Sequence, residues 1–382
     1  MLTDIAEGLA ARGWSVTAIA SRRTYDGDGA LLPESETINC VEVHRIGTTG
    51  FGRSSLTGRA ADYLSFYRAA RHAARRHVRP GDIAVVKTDP PLLSVATGGT
   101  LRRKGARLVH WLQDIYPETA TALGIRLPFV SLLKKRRNRS LETAGHIVAI
   151  SEGMKSRLIA QGIDPDSITV LPNFADEEAI RPLPRLENPL RSEWGFGEDD
   201  FVIGYSGNLG RAHDIDTMLG AAEQLRDDER FKFLFVGGGY LRTRLDEEAR
   251  RRELTNIVTR PYQPRSELNQ SLALPDIHWI SLRPELEGLI MPSKLYGVAA
   301  AGRPVIMVGD PEGDIGRIIR GHEFGLTVVP GDAKGFAETV RRFAGAPAEA
   351  KRFGSNARAY IENHAPRRTI LCGWDELLKR IA

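Results

Sequence analysis

Cysteine is nearly absent: Cys40 and Cys372 are the only two in 382 residues, and they lie far apart in sequence. That excludes a disulfide framework and any cysteine-based metal-ligand spacing, and makes a reduced, cytosolic chain the default. No apolar run reaches membrane-spanning length. No internal repeat and no low-complexity tract is visible. Residues 1–20 read as an amphipathic helix followed by a strand, so no signal peptide is expected. One further feature is missing. A doubly wound α/β domain opens on a central strand and a glycine-bearing turn. This chain opens directly on a helix, Thr3–Arg12, capped at Thr3 and stopped by Gly13. The reading therefore expects the first strand to be missing and the natural chain to begin upstream of Met1.

What is present suits two α/β domains of ordinary size. Hydrophobic residues make up 42%, enough for a sizeable core. Net charge is +5, unevenly spread. Residues 1–170 hold 24 Lys and Arg against 16 Asp and Glu, a balance of +8; the remainder is at −3. A basic half can face nucleic acid or anionic lipid.

Strand patterns alternate with helices throughout. Ser15–Ala20, Val41–Ile46, Ile83–Val86, Leu108–Trp111 and His146–Ile150 are apolar strand runs, with residues 23–38 read as loop. Long helices are expected over Ala60–Val78 and after Pro91. The rhythm breaks near 164–200, around Pro172, Pro182, Pro184 and Pro189. It then resumes with Phe201–Tyr205, Phe231–Val236, Asn256–Val258, Ile277–Ile280 and Pro304–Val308. Such alternation means parallel sheets covered on both faces.

Four stretches carry chemistry. In 283–306 the carboxylates Glu285 and Glu287 precede Pro292-Ser293-Lys294, read as the first turn of a helix that Gly302 ends. A hydroxyl, a lysine and free backbone N–H groups there suit a diphosphate, and the upstream carboxylates suit sugar or ribose hydroxyls. Gly204–Asp214 follows a strand, and its three glycines permit a close ligand approach, with Arg211 and His213 placed for an anion. Val236-Gly237-Gly238-Gly239-Tyr240 fails the dinucleotide fingerprint, since Arg242 stands at the third glycine's place. Asp114 and Glu118 end a strand of the first half, and Asp89 ends the strand before it. A carboxylate at Asp114 suits a hydroxyl or a proton, or equally a helix N-cap. Finally, Lys134, Lys135, Arg136, Arg137 and Arg139 follow the apolar turn Phe129–Leu133, and Arg68–Arg79 forms a second basic helix. Each run alone fits a solvated face; the two together point to anionic lipid.

These blocks resemble the two-domain GT-B glycosyltransferases of family 4, nearest the subgroup that builds bacterial O-antigen, capsule and colanic-acid polysaccharides, such as the L-fucosamine transferase-like enzymes. The matching stretches are Gln113–Glu118, Ile150–Glu152 with Pro172-Asn173, Ser206–Asp216, Pro261–Pro264 and Pro292–Gly297. The wider family carries two glutamates eight positions apart before its Ala-x-Gly-x-Pro-Val segment. Here those positions are Leu289 and Gly297, and Glu287 is read as taking the first one's role. The family's diphosphate-binding arginine and lysine correspond to Asn208 and His213, so Arg211 and Lys294 are read as supplying the charge.

The resemblance implies a GT-B architecture: two Rossmann-like doubly wound domains facing a cleft. Residues 1–171 would form the acceptor and membrane side, 172–360 the nucleotide-sugar domain, and 361–382 a C-terminal helix returning toward the first. It implies retaining transfer from a UDP-linked sugar to a lipid-linked glycan at the inner face of the cell membrane, with no metal or other cofactor and no nucleic-acid partner. Donor contacts would come from Gly207, Asn208, Arg211, His213, Tyr262, Glu287, Ser293 and Lys294. Asp114 and Glu287 are the carboxylates expected at the reaction, with Asp89 and Glu118 beside Asp114 on the acceptor side. Two other classes stay open: a sugar-nucleotide epimerase of the same fold, and a non-catalytic basic nucleic-acid binder.

Overall fold

A computed structural model describes residues 1–24, 31–51 and 56–382, at Leu56 the backbone alone. The expected loop over 23–38 falls partly outside these residues; its last four form a strand instead. The chain divides into two compact units. One comprises 1–121, 126–172 and 368–382; the other comprises 122–125 and 173–367.

The first unit contains α1 (Leu2–Ala10), β1 (Val16–Ser21), β2 (Ser35–Ile38), β3 (Val41–Ile46), α2 (Leu56–His77), β4 (Ile83–Lys87) and α3 (Leu93–Arg103). It continues with β5 (Arg107–Trp111), α4 (Glu118–Ala122), α5 (Val130–Glu142), β6 (His146–Ala149), α6 (Glu152–Ile159) and β7 (Ile168–Val170). The first helix begins one residue before Thr3, with Met1 at its cap. β4, β5, β6 and β7 form a parallel sheet in that order. β1 and β3 pair in parallel, and β2 joins β3 antiparallel. Among the described residues no strand joins the two sheets. The burial pattern matches this break: β5 and β6 are almost wholly buried, whereas every residue of the apolar strand β4 is only half-buried.

The second unit contains α7 (Pro189–Glu193), β8 (Phe201–Ser206), α8 (Asp216–Gln224), β9 (Phe231–Val236), α9 (Arg242–Arg251), β10 (Ile257–Arg260), α10 (Leu268–Ala273) and β11 (Ile277–Ser281). It ends with α11 (Lys294–Ala300), β12 (Val305–Val308), α12 (Asp314–Gly321), β13 (Gly325–Val328), α13 (Ala333–Gly345) and α14 (Pro347–His364). Its six parallel strands run in the order β10-β9-β8-β11-β12-β13. Helices cover both faces, so β11 and β12 are buried at every position; β12 is an unbroken apolar run, while β11 carries His278 and Ser281. Tyr205, Phe233, Phe235, Trp279 and Phe336 fill the core.

The last helix, α15 (Arg367–Ile381), packs within the first unit. Trp374 meets Trp111 edge-on at 5.3 Å between ring centroids, and Trp14 Nε1 donates to Asp375 at 2.8 Å. The stretch from 361 is therefore not one helix: α14 ends at His364 in the second unit, and α15 starts afresh.

Candidate active site

In the second unit the loop after β8 lies against the loop after β9. Gly207 N donates to Val236 O at 2.8 Å, Leu209 N to Gly238 O at 2.7 Å, and Leu241 N to Leu209 O at 3.0 Å. Gly237 sits at φ 127°, and a Cβ there would overlap the Gly207 carbonyl oxygen, so only glycine lets the two backbones meet. The Tyr262 ring covers this turn, 3.2 Å from where a Cβ of Gly238 would stand, and is 47% exposed. Tyr205 Oη donates to Asn208 O at 2.7 Å. Arg211 extends outward and stacks on Tyr240 at 3.6 Å from the ring centroid.

Lys294, the first residue of α11, reaches this loop from the other side. Its Cε lies 3.0 Å from the position a Gly207 Cβ would take, and its ammonium stands 5.2 Å from the Tyr205 ring centroid. Burial lowers its pKa to about 8. No carboxylate pairs with it among the described residues; its neighbour is His213 Nε2 at 3.4 Å. A desolvated ammonium with no carboxylate beside it among the described residues, next to a glycine turn at the carboxyl end of a central strand, has the chemistry to meet an anion.

His213, expected beside Arg211 near an anionic group, is enclosed at this loop. The ring is 9% exposed, and its Nδ1 donates to Ser281 O at 2.7 Å. Burial first, then the Lys294 charge, push its pKa down to about 3. It is neutral, and its Nε2 stands beside the ammonium at 3.4 Å, where it can orient Lys294. The helix start differs too. α11 begins at Lys294, with exposed Ser293 at the cap and Pro292 before it, two residues later than expected.

Glu287 follows a short turn, Pro284–Leu286. Its Oε2 accepts from Asp314 N at 3.2 Å at the start of α12, and its carboxylate fills the space a Gly313 side chain would need. Burial, then the charges of Asp314 and Asp310, raise its pKa to about 7.

The first unit holds a separate cluster at the carboxyl ends of β4 and β5. Thr88 Oγ1 accepts from Gln113 N at 3.0 Å and from Asp114 N at 3.3 Å. Asp114 Oδ1 is buried with no hydrogen-bond partner among the described residues. Burial raises the Asp114 carboxyl to about 6; the Thr88 hydroxyl lowers it and the Asp89 charge raises it. Asp114 does not cap α4, which starts four residues later. Tyr67 and Tyr116 flank it, both phenols raised chiefly by burial, and Tyr67 Oη donates to Pro91 O. Sequence reading missed these two tyrosines; the aromatic positions of α2 were visible, but not that α2 brings one to Asp114. Asp89 is exposed beside them.

Two expected residues lie elsewhere. Glu118 is not open to an acceptor: its Oε1 lies 2.7 Å from Arg137 Nη2 and 3.5 Å from Lys134 Nζ. Arg137 is not a surface cation. It is 5% exposed and donates also to Gln161 Oε1 at 2.6 Å and Asn138 Oδ1 at 2.7 Å. Removing one partner of such a buried pair leaves the other uncompensated. Arg137→Ala is therefore expected to lower unfolding free energy by about 3 kcal/mol, and exposed Arg136→Ala by less than about 0.5 kcal/mol, in urea titrations.

Comparison with known proteins bears on the whole chain. Residues 1–173 match the family described as Glycosyl transferase 4-like domain, and residues 187–360 match Glycosyl transferases group 1. A probable glycosyltransferase, WbjE, of Pseudomonas aeruginosa is 27% identical over 267 residues, covering 69% of this chain and 66% of the relative. A putative colanic acid biosynthesis glycosyl transferase, WcaI, of Escherichia coli K12 is 27% identical over 253 residues, 64% of this chain and 61% of the relative. The chain thus spans somewhat under two thirds of the length of these relatives. Among solved structures, the sucrose-phosphate synthase of Thermosynechococcus elongatus superposes with a TM-score of 0.80 at 17% identity, over 100% of this chain and 92% of the other. HepE of Anabaena, in complex with UDP and glucose, superposes with a TM-score of 0.75 at 16% identity, over 99% and 95%. At these identities the likeness speaks to the fold, which is GT-B.

Proposed function

The chain belongs to family 4 of the glycosyltransferases of GT-B fold, and from that premise we propose that it moves a sugar, with retention, from a UDP-linked donor to a lipid-linked glycan acceptor during cell-surface polysaccharide synthesis. The observation that carries the proposal is Lys294: a desolvated ammonium held against Gly207 with no carboxylate to neutralise it among the described residues. The UDP and glucose bound in HepE and the colanic acid biosynthesis role ascribed to WcaI support the donor and pathway class.

In this reading the acceptor hydroxyl oxygen bonds to the anomeric carbon as the bond from that carbon to the diphosphate oxygen breaks. Charge develops on the leaving diphosphate. Lys294, already in place, stabilises it more than it stabilises the ground state. Neutral His213 keeps the ammonium aimed, and Arg211 adds a second cation at the mouth of the loop. Gly207, Asn208, Tyr262 and Ser293 shape the nucleotide's place, and Glu287 takes donor sugar hydroxyls. Asp114 Oδ1 accepts the acceptor hydroxyl, with Asp89 beside it. With Lys294 and Arg211 meeting the diphosphate charge, EDTA is expected to leave transfer unchanged.

No helix among the described residues is long and apolar enough to cross a membrane; the proposed work place is the cytoplasmic membrane face. The test supplies UDP-sugars with and without a lipid-linked acceptor, and identifies products by mass spectrometry and anomeric NMR. Acceptor-dependent UDP release with a retained anomeric configuration is expected. Donor isomerisation without acceptor would instead make the protein an epimerase.

A further inference from the structure

Arg242, which breaks the dinucleotide fingerprint, closes the turn after β9. Its Nη1 donates to Gly237 O at 3.1 Å and its Nε to Asp246 Oδ2 at 3.0 Å. Across the turn Gly239 sits at φ 129°, and a Cβ there would stand 2.6 Å from both the nitrogen and the oxygen of Leu209. Only glycine permits so close a pass. Leu241 is buried and tied to the same residue through its N–H. Tyr240 is therefore fixed between two residues pinned to the loop after β8, yet its ring is turned outward and is 62% exposed. What covers that ring is Arg211, from the loop after β8. Its Cζ lies 3.6 Å from the ring centroid, a distance at which the planar guanidinium rests on the ring face. A guanidinium held by its face keeps its five N–H donors, which lie in its plane, open to a ligand. The described residues give Arg211 neither a hydrogen bond nor a carboxylate. Left in water, so long a side chain would sweep its rotamers.

We propose that Tyr240 is a positioning residue for the donor: its ring holds the Arg211 guanidinium in place, so that the open fork meets a phosphate of the nucleoside diphosphate. The inference rests on the donor reading above and adds a residue which that reading leaves out. A fork that grips two phosphate oxygens fixes direction as well as charge, which the compact Lys294 ammonium does not. Rotamer freedom that Arg211 would lose on binding is already lost in the free protein, so the ring raises affinity without touching the ligand. Only the face of the ring takes part, and the phenol oxygen has no role.

The test is calorimetric titration of the full chain with UDP, GDP and uridine. Tyr240→Ser should weaken UDP binding about 5-fold, the scale of a cation–π contact at an exposed site. Uridine, which carries no phosphate, should bind both proteins alike. Tyr240→Phe should bind UDP as wild type does. Arg211→Ala should weaken UDP binding as well, and adding Tyr240→Ser to it should change nothing further, because the ring then has no cation to hold. Both side chains are exposed, so unchanged thermal unfolding is expected to show the variants folded. Unaltered UDP binding by Tyr240→Ser would overturn the proposal. Equal losses for UDP and uridine would overturn it too, since the ring would then touch the nucleoside. So would a loss shared by Tyr240→Phe, or losses that add in the double variant. GDP bound in place of UDP, with the same pattern of losses, would leave Tyr240 in its role and remove the UDP donor. A wild type that binds neither nucleotide would overturn both the inference and the donor reading.

Discussion

Replacing Lys294 with alanine should lower kcat/KM by about 100-fold or more, the scale seen when one preorganised charge-stabilising donor is lost from an active site. The ammonium lies behind the Gly207 turn, and its contact with diphosphate is charge-assisted and strengthens as the leaving group gains charge. Arginine should not fully rescue it, since a planar guanidinium fork does not reproduce the compact point charge of an ammonium. Stability should move the other way. The folded pKa, about 8, is below that of a free lysine, so the unfolded chain holds more protons between about pH 8 and 10.5. Stability from this group therefore rises with pH across that window, and at pH 7 the buried ammonium is a burden on the fold. Lys294→Met should unfold at the same temperature as wild type or higher while losing transfer. Adding UDP should raise the melting temperature of wild type and leave that of Lys294→Met nearly unchanged. A methionine variant with full activity would remove Lys294 from the donor site.

Much of this geometry follows from patterns a sequence displays, and the exceptions have physical causes. Strand runs such as Val305–Val308 were plain because a strand covered on both faces has no polar positions to confuse it. The four-residue β2, Ser35–Ile38, was hidden because it is mostly exposed and carries Ser, Glu and Thr, a turn-like composition. The glycines of the loop after β8 announced a close approach, but not what approached. That Gly237 presses on Gly207, and that the Ser281 carbonyl accepts the His213 Nδ1 hydrogen bond, are contacts between residues 30 and 68 positions apart. The neutral state of His213 depends on those contacts and could not be read locally. Arg137 was more legible than it looked. It shares a helical face with Leu133, Ser140 and Leu141, and that phase already set it apart from Lys135, Arg136 and Arg139. A run of like charges invites reading as one surface, yet the helix period splits it. Glu118 was misjudged for the same reason, since its partner is Arg137, 19 residues on.

Transfer should show a bell-shaped dependence of kcat/KM on pH, with an acid limb near 6 and an alkaline limb near 8. On the acid side the expected group is Asp114, whose carboxyl is raised to about 6 by burial and whose Oδ1 has no hydrogen-bond partner among the described residues. Only the carboxylate accepts that hydroxyl's proton, so activity should rise as pH passes about 6. On the alkaline side Lys294 must be an ammonium to meet diphosphate, so activity should fall above about 8. The profile of kcat should differ. Bound diphosphate favours the charged lysine, and the alkaline limb should shift upward in the donor complex. Asp114→Asn should lower kcat/KM by about 100-fold or more and abolish the acid limb while leaving the alkaline one. The same change should not weaken the fold. The folded pKa of Asp114 lies above its unfolded value, so its contribution to stability is full below about pH 3.8 and is lost as pH rises through about 6. At neutral pH the buried carboxylate is held at a cost, and the asparagine variant should melt at the same temperature as wild type or higher. Glu287, raised to about 7, offers a competing source for the acid limb, set apart by its place at the start of α12. Glu287→Gln should leave a limb near 6 in place. An acid limb that survives Asp114→Asn and disappears in Glu287→Gln would transfer the ionisation to Glu287 and leave Asp114 without a role in the proton's departure.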